Sequence, residues 1–492
     1  MISVKFLDLK KNYDTISTEV NANIQTVLNK CNYIHGTEVT EFENNFANYI
    51  GTKHCIGVAN GTDALEIAVQ SLDLDPDDEI IVQGNTYIAS CLGVVNNNHK
   101  LVICDCDKDT HMIDINDLKS KITIKTRAII VVHLFGIVPD MDEINKICND
   151  NNIILIEDCA QSHGAKWNNK TTGSFGKLSC FSFYPGKNLG AYGDGGAICT
   201  NDDVLNEKIR KLANLGCKVK YYHELIGNNS RLDTIQATIL NIKLKYLEEN
   251  NEKRRKNAEL YKKYLSSLDI TLPIVDNKCI PVYHLYVIKT KYRNELKDYL
   301  FENGIETNIH YPISITEVEA FKDLNLEKTY NAITNSKEIL SLPMYPELTE
   351  EQIIYVSSII KKFFESKQII GFNSVETINK PGILYYINTI NFDTKRIFYI
   401  DSFQESGIRG NHSNKNFNEL IMVLLGSIEI SLTSKYGNKD IIQLEKGQSY
   451  LIQKNYWIEY IINNTNTIMC VLADKSLNES ISEFDYDTFI HK

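Results

Sequence analysis

The 492-residue sequence has no basic excess: 63 acidic side chains stand against 52 Lys and Arg, for a net charge of −11. That balance argues against a nucleic-acid or anionic-membrane surface, both of which need a basic face. It leaves room for an anionic small molecule, which needs only a local pocket of donors. No apolar run approaches the ~20 residues that span a bilayer. The N-terminus, Met1-Ile2-Ser3-Val4-Lys5-Phe6, lacks the basic-then-apolar layout of a secretory signal. The 12 cysteines include no Cys-x-x-Cys pair; Cys104 and Cys106 are the closest two. Free thiols in a reducing cytoplasm are therefore expected, rather than a disulfide framework or a zinc site. No internal repeat or low-complexity tract interrupts the chain. What remains is an ordinary globular composition, 43% hydrophobic and 23% charged, long enough for two to four domains.

Residues 55–200 alternate short apolar runs with helical patterns. Ile80–Val82, Leu101–Ile103, Ala128–Val132 and Ile153–Ile156 read as buried strands, and Asp63–Leu72 and Met141–Asp150 as helices. Continuous apolar strands alternating with helices predict an α/β layer fold around a mostly parallel sheet, with catalytic groups at the strands' carboxyl ends. Arg231 to about Leu265 reads as helical, its charged run Lys243, Lys245, Glu248, Glu249, Lys253, Arg254 and Arg255 covering a solvated face. A smaller α+β region follows over about 270–365, ending in a helix Glu350–Phe364, and the first 30 residues read as a helix that packs on it. From Lys380 onward the pattern changes to successive short strands (396–400, 420–425, 428–432, 468–472), which predicts an all-β jelly roll beginning near 366–378.

Several residues at predicted strand ends carry chemistry. Lys187 sits in the turn Tyr184-Pro185-Gly186-Lys187 after a strand, where partial desolvation would favour a neutral, nucleophilic amine; a loop lysine alone is more often surface decoration. Asp158 ends the strand at Ile153–Ile156, as a cleft carboxylate or equally as a helix cap. Gln161 follows three residues on. Asn60-Gly61-Thr62-Asp63 joins a strand to a helix, where Gly allows close backbone approach and the helix N-terminus offers N–H groups to a phosphate; an ordinary cap by Thr62 or Asp63 is the alternative. Ser182 could add a hydroxyl to the phosphate, and Tyr87 could stack on a ring, though each is more often a satisfied polar group or core. Lysine, carboxylate, anion site and stacking ring are what pyridoxal phosphate (PLP) asks of a protein.

The order of these motifs carries a resemblance. Phe6-Leu7-Asp8-Leu9, Gly61-Thr62-Asp63-Ala64-Leu65, Glu157-Asp158-Cys159-Ala160-Gln161, Phe181 to Gly190, Gly193-Asp194-Gly195-Gly196, Asn229-Ser230-Arg231-Leu232-Asp233 and His310-Tyr311-Pro312 closely resemble the DegT/DnrJ/EryC1/StrS sugar-nucleotide aminotransferases across residues 1–365. The resemblance implies PLP fold type I (aspartate aminotransferase-like, α/β with a small α+β domain) and a homodimer with shared active sites. It assigns Lys187 the Schiff base, Asp158 the pyridinium and Gln161 the ring hydroxyl. Gly61, Thr62, Asp63 and Ser182 go to the phosphate end, Tyr87 to the ring face, and Asn229 to the phosphate across the dimer interface. It further implies ping-pong transfer from L-glutamate to a dTDP- or UDP-linked keto-6-deoxyhexose. Family members with His in place of the lysine dehydrate their substrate; the lysine here favours transamination. Tyr222, His223, His310 and Tyr311 are candidates for the sugar-nucleotide side.

Residues 372–492 resemble the cupin-fold sugar-nucleotide 3,4-ketoisomerases of the FdtA/WxcM type, through Lys395–Ile400, Arg409-Gly410-Asn411-His412 and Gly447. Tyr399, Arg409, His412 and Asn414 are the candidate cupin-site residues. That family reads Arg-Gly-x-His-Ala-His-Lys; this chain reads Arg409-Gly410-Asn411-His412-Ser413-Asn414-Lys415. An Asn amide is neither acid nor base near neutral pH, so the cupin is expected to be non-catalytic. His412, Asn414 and Glu419 echo a metal-binding spacing with one ligand lost, and no metal is expected. The expected organisation is 1–368 (large domain 31–240, small domain 241–368 with the N-terminal helix) and 372–492. A dead isomerase would leave the ketone at C4, so amination leans to C4. The alternatives are a bifunctional 3,4-ketoisomerase/3-aminotransferase and a sugar-nucleotide-binding regulatory protein.

Overall fold

A computed structural model describes residues 3–371, 373–376, 383–386, 392–401, 407–462 and 467–490. Its centre is a seven-stranded sheet of β1 (His54–Val58), β2 (Glu79–Gln83), β3 (Lys100–Cys104), β4 (Thr126–Val132), β5 (Ile154–Asp158), β6 (Leu178–Ser182) and β7 (Gly196–Thr200), in the order β1-β7-β6-β5-β4-β2-β3. Strands β3, β2, β4, β5 and β6 run parallel, and only β7 pairs antiparallel with both its neighbours. The Ile- and Val-rich strands have no polar face because both faces are covered. Ile80, Val82, Ile130 and Ile156 feed one core; Ile81, Ile129, Val131 and Leu155, one residue out of step, feed the other. This is the α/β type I architecture expected from the sequence.

The helices predicted over the first 30 residues, 63–72, 141–150 and 350–364 are observed as Leu9–Lys30, Gly61–Gln70, Met141–Asp150 and Glu350–Glu365. The cap of the second is Asn60, whose side chain accepts from the Asp63 N–H, rather than Thr62 or Asp63. The 231–265 segment forms two helices, Thr234–Leu244 and Leu247–Leu265. The charged run on them corrects the sequence reading. Lys243 and Arg254 are not on a solvated face but buried, at 8% and 4% exposure. Lys243 Nζ donates to the Gly190 carbonyl at 2.6 Å. Arg254 Nη1 donates to the carbonyls of Tyr283, His284 and Met344 at 3.1, 3.3 and 3.0 Å. Charge alone does not reveal this, because a buried guanidinium is tolerated wherever backbone carbonyls converge on it. Arg254→Ala is expected to strand those acceptors and cost about 3 kcal/mol or more, read as a lowered denaturation midpoint.

The chain divides into two compact units, 1–290 with 304–356, and 291–303 with 357–492. In the second, β8 (Ile369–Gly371), β9 (Arg396–Asp401), β10 (Gly407–Asn414), β11 (Glu419–Leu425), β12 (Ser427–Ser434), β13 (Lys439–Glu445), β14 (Gln448–Ile452), β15 (Tyr456–Ile462), β16 (Ile468–Ala473) and β17 (Ser482–Glu483) build two five-stranded antiparallel sheets. Their orders are β8-β14-β11-β16-β9 and β13-β12-β15-β10-β17. Side chains of both sheets, among them Ile421, Val423, Ile430, Ile458 and Val471, share one core, the strand-rich arrangement expected of a cupin. The predicted start of this part falls partly on residues 372 and 377–382, outside the described residues. No helix among the described residues is long and apolar enough to cross a membrane, and all 12 cysteines are free.

Candidate functional site

The carboxyl ends of β5 and β6 carry Asp158 and Ser182, and Gln161 and Lys187 lie in the turns that follow them. Asp158 is the last residue of β5 and 5% exposed. Its Oδ2 accepts from Ser90 Oγ at 2.7 Å and its Oδ1 from the Ala160 N–H at 3.1 Å. Ser90 was not a sequence candidate; it lies in the apolar helix Ala89–Val95 with no pattern to mark it. Gln161 is oriented from both ends. Its Oε1 accepts from the Phe135 N–H at 2.6 Å, and its Nε2 donates to the Tyr311 hydroxyl at 2.9 Å. The Tyr311 ring lies 5.5 Å from that of Tyr87, which is 55% exposed and so has a face open to a ligand.

Lys187 closes a turn in which its N–H donates to the Tyr184 carbonyl at 2.8 Å. The residue as a whole is half-buried, and burial of its amine pulls the pKa down to about 8 against the opposing pull of Asp158. Two histidines near it are kept neutral. Burial, reinforced by the Lys187 charge, holds His163 down to about 3 and His310 down to about 4. His284 is likewise depressed by burial and by Lys187, and its Nδ1 lies 3.2 Å from Oδ1 of Asn188. His163 and His284 were not singled out from the sequence. His163 was legible as a polar residue two positions past Gln161, whereas His284 is remote in sequence and joins the site only through the fold.

At the other end, a Cβ on Gly61 would meet Ser182 Cβ at 2.6 Å. Only glycine lets the helix N-terminus and the Ser182 hydroxyl approach this closely. Thr62 lies in the first turn of that helix. The Asp63 carboxylate accepts from Ser230 Oγ at 2.5 Å, which ties down the turn next to Asn229. Asn229 itself is exposed and pairs with Arg231. Tyr222 and His223 form an exposed two-residue strand, and His223 Nδ1 lies 2.8 Å from the Leu215 carbonyl. The structure does not bring these two to Lys187. His310 Nδ1 lies 2.9 Å from Ser341 Oγ, within electrostatic reach of the lysine.

His133, Glu157 and Cys159 hold ligand atoms within 4.8 Å of one another. Glu157, however, already accepts from the N–H groups of Gly173, Phe175 and Gly176 at 2.8, 2.7 and 2.7 Å, and its Oε2 lies 2.9 Å from His133. This carboxylate is spent on holding a loop.

In the second unit the ladder explains a second cluster. Arg396 and Glu419 both pair with Ala473 on the strand between them. All three therefore share a face, and the small alanine leaves room for the arginine to lean across. Arg396 Nη2 lies 3.7 Å from Glu419 Oε1, and the Tyr460 hydroxyl donates to Oε2 at 3.3 Å. His412 and Asn414 alternate onto one face of β10; His412 is half-buried beside Phe484, and Asn414 is 1% exposed. Arg409 is exposed opposite Tyr460 in the ladder. Tyr399 is a correction. It alternates with the core-packed Phe398 and Ile400, so it points outward, 72% exposed, away from this cluster.

Comparison with known proteins finds relatives of both parts of the chain. Residues 14–361 match the model of the DegT/DnrJ/EryC1/StrS aminotransferase family, and residues 368–492 match the model described as WxcM-like, C-terminal. The chain is 43% identical over 360 residues to a dTDP-3-amino-3,6-dideoxy-alpha-D-galactopyranose transaminase of Aneurinibacillus thermoaerophilus, covering 73% of this chain and 99% of that one. It is 40% identical over 369 residues to a protein of Geobacillus stearothermophilus named pleiotropic regulatory protein, covering 74% and 99%. A crystal structure of S. venezuelae DesV in complex with a ketimine intermediate is 38% identical with a TM-score of 0.73, covering 74% and 99%.

Proposed function

The chain belongs to the DegT/DnrJ/EryC1/StrS aminotransferase family, whose enzymes depend on PLP, and from that premise we propose that residues 1–368 move an amino group from L-glutamate to C3 of a nucleotide-linked keto-6-deoxyhexose. Residues 372–492 form a second module, and the active assembly is a homodimer. The observation that carries the reading is the convergence of Lys187, Asp158 and Gln161 at the carboxyl ends of β5 and β6. The residues fit the cofactor: a depressed lysine amine, a buried carboxylate, an exposed tyrosine face and a helix N-terminus brought against Ser182.

Bound there, PLP supplies an electron sink. The protein supplies the rest. Asp158, oriented by Ser90, holds a proton on the ring nitrogen. Gln161 would offer its amide to the ring hydroxyl, and Tyr87 would hold the ring face. Gly61, Thr62 and Ser182 hold the phosphate with N–H and hydroxyl donors, joined by Asn229 of a second copy. Lys187 would hold the cofactor through its amine and, as a general acid–base, would carry the proton that the transfer moves. His310 and Tyr311 border the space left for the sugar.

The choice of C3 is supported by the name of the 43%-identical relative, a 3-amino-sugar transaminase. The lean to C4 rests on Asn414 alone, and it remains a second reading because that amide cannot shuttle a proton. NMR of the product formed from glutamate and a 4-keto-6-deoxy sugar nucleotide decides between them. A 3-amino product is expected; a 4-amino product would overturn C3. No amination at all, with PLP bound, would favour a binding or regulatory role.

A further inference from the structure

The chain that follows Lys187 is held at every second residue from the helices Thr234–Leu244 and Leu247–Leu265. Asn188 Nδ2 donates to Asn251 Oδ1 at 2.9 Å and to the Val282 carbonyl at 3.0 Å. The Gly190 carbonyl accepts from Lys243 Nζ, and the Tyr192 N–H donates to Gln236 Oε1 at 2.9 Å. Asn251 is 0% exposed, and its own Nδ2 donates to the His163 carbonyl at 2.8 Å. Gly164 keeps that approach open: its φ is +89°, and a Cβ there would meet Asn251 Nδ2 at 2.9 Å.

These bonds leave no choice of proton positions. A carbonyl only accepts, so the His163 and Val282 carbonyls fix which end of each amide is nitrogen. Asn251 therefore presents Oδ1 to Asn188. Asn188, with both of its Nδ2 hydrogens committed, presents Oδ1 to its remaining neighbour, His284 Nδ1, at 3.2 Å. That ring nitrogen carries the proton, since two acceptors cannot face each other. Burial holds the His284 pKa well below its ordinary value. The charged and titratable groups that face it, Lys187, Arg254, His310 and His163, all act in the same direction. A neutral ring has one proton, so Nε2 is a bare lone pair. His310 is under no such constraint, because its Nδ1 meets a hydroxyl, Ser341 Oγ, that can give or accept.

We propose that Asn188 and Asn251 are positioning residues for Lys187, which hold its turn in place and fix the nearby His284 as the Nδ1–H tautomer, an acceptor at Nε2. The tautomer matters because the lysine amine attacks a carbonyl carbon with its lone pair. An imidazole N–H aimed at the amine would compete for that pair. An imidazole lone pair engages only the amine hydrogens and leaves the nucleophilic pair free. His284 lies within electrostatic reach of Lys187, and its backbone is held by the same helix that carries Asn251, since Arg254 Nη1 donates to its carbonyl at 3.3 Å. The consequence for Lys187 rests on its being the cofactor lysine; the position of the His284 proton does not.

The test is NMR of the full, PLP-free chain with isotope-labelled histidine nitrogens, the His284 signals being assigned by their loss in His284→Asn. A protonated Nδ1 and an unprotonated Nε2 are expected in the wild type, giving way to Nε2–H in Asn188→Ala. Capture of PLP, followed by absorbance, is expected to slow about tenfold or more in Asn188→Ala, toward the ~100-fold cost of misplacing a reacting group by ~1 Å. His284→Asn keeps an amide donor for Asn188 and should melt close to the wild type, yet it lacks Nε2 and should also capture PLP more slowly. If Asn188→Ala fails to fold, the wild-type proton position and the His284→Asn rate still decide. A proton on Nε2 in the wild type, a proton that stays on Nδ1 in folded Asn188→Ala, or capture at the wild-type rate in His284→Asn would each overturn the inference. A wild-type chain that captures no PLP on Lys187 would instead sink the cofactor-lysine reading, while the His284 proton would still decide whether the tautomer is fixed.

Discussion

Lys187→Ala is expected to lower amination by about 10⁴-fold or more, because it removes both the cofactor attachment and the proton carrier. The fold should survive. Burial sets the Lys187 pKa at about 8 in the native chain against an ordinary value of 10.5. The native state therefore binds fewer protons than the unfolded chain between those values, and the burden of the buried ammonium is full below about pH 8 and vanishes as pH rises through 10.5. At pH 7 the alanine variant should melt no lower than the wild type in the absence of PLP, so lost turnover cannot be put down to unfolding. The same depression predicts a pH profile. The neutral amine fraction grows about tenfold per pH unit up to the pKa, so capture of PLP by the wild type should accelerate with pH and level off above about 8. A flat profile between pH 6 and 8 would contradict a desolvated nucleophile.

Asp158→Ala should lower turnover by about 10²–10³-fold, in the range found when one electrostatic partner is taken from a reacting group, while Lys187 still captures the cofactor. It should also destabilise the PLP-free protein by about 1–3 kcal/mol, because Ser90 Oγ loses a charged acceptor inside the core. Asp158→Asn keeps an acceptor for Ser90 but cannot hold the pyridine proton. Comparable loss of turnover in both variants, with destabilisation confined to the alanine, is the expected pattern in paired rate and melting measurements. Equal destabilisation with turnover preserved in the Asn variant would make Asp158 a structural residue only.

Much of this site was legible along the chain, because the residues that define it stand at strand ends and strands of continuous Ile and Val announce themselves. Asp158 is read from the run that precedes it, and Lys187 from its turn. Gly61 needed the structure only to show what it approaches, Ser182. What stayed hidden are partners brought from other elements. Ser90 has no local pattern, and His284 arrives from more than ninety residues beyond Lys187. The burial of Lys243 and Arg254 depends on carbonyls of distant loops. In the second unit, register adds what spacing cannot show: pairing across Ala473 brings Arg396 to Glu419. Tyr399 failed for the same reason in reverse, since alternation with Phe398 and Ile400 sends it outward.

The most direct test is to load the wild-type chain with PLP, reduce it with borohydride and map the added mass by peptide mass spectrometry. The cofactor mass is expected on the peptide containing Lys187, stoichiometric with chain, and absent when the protein is pre-incubated with L-glutamate so that the lysine has been released. Modification at any other lysine, or none at all, would contradict the assignment of Lys187 as the residue on which the transferase is built.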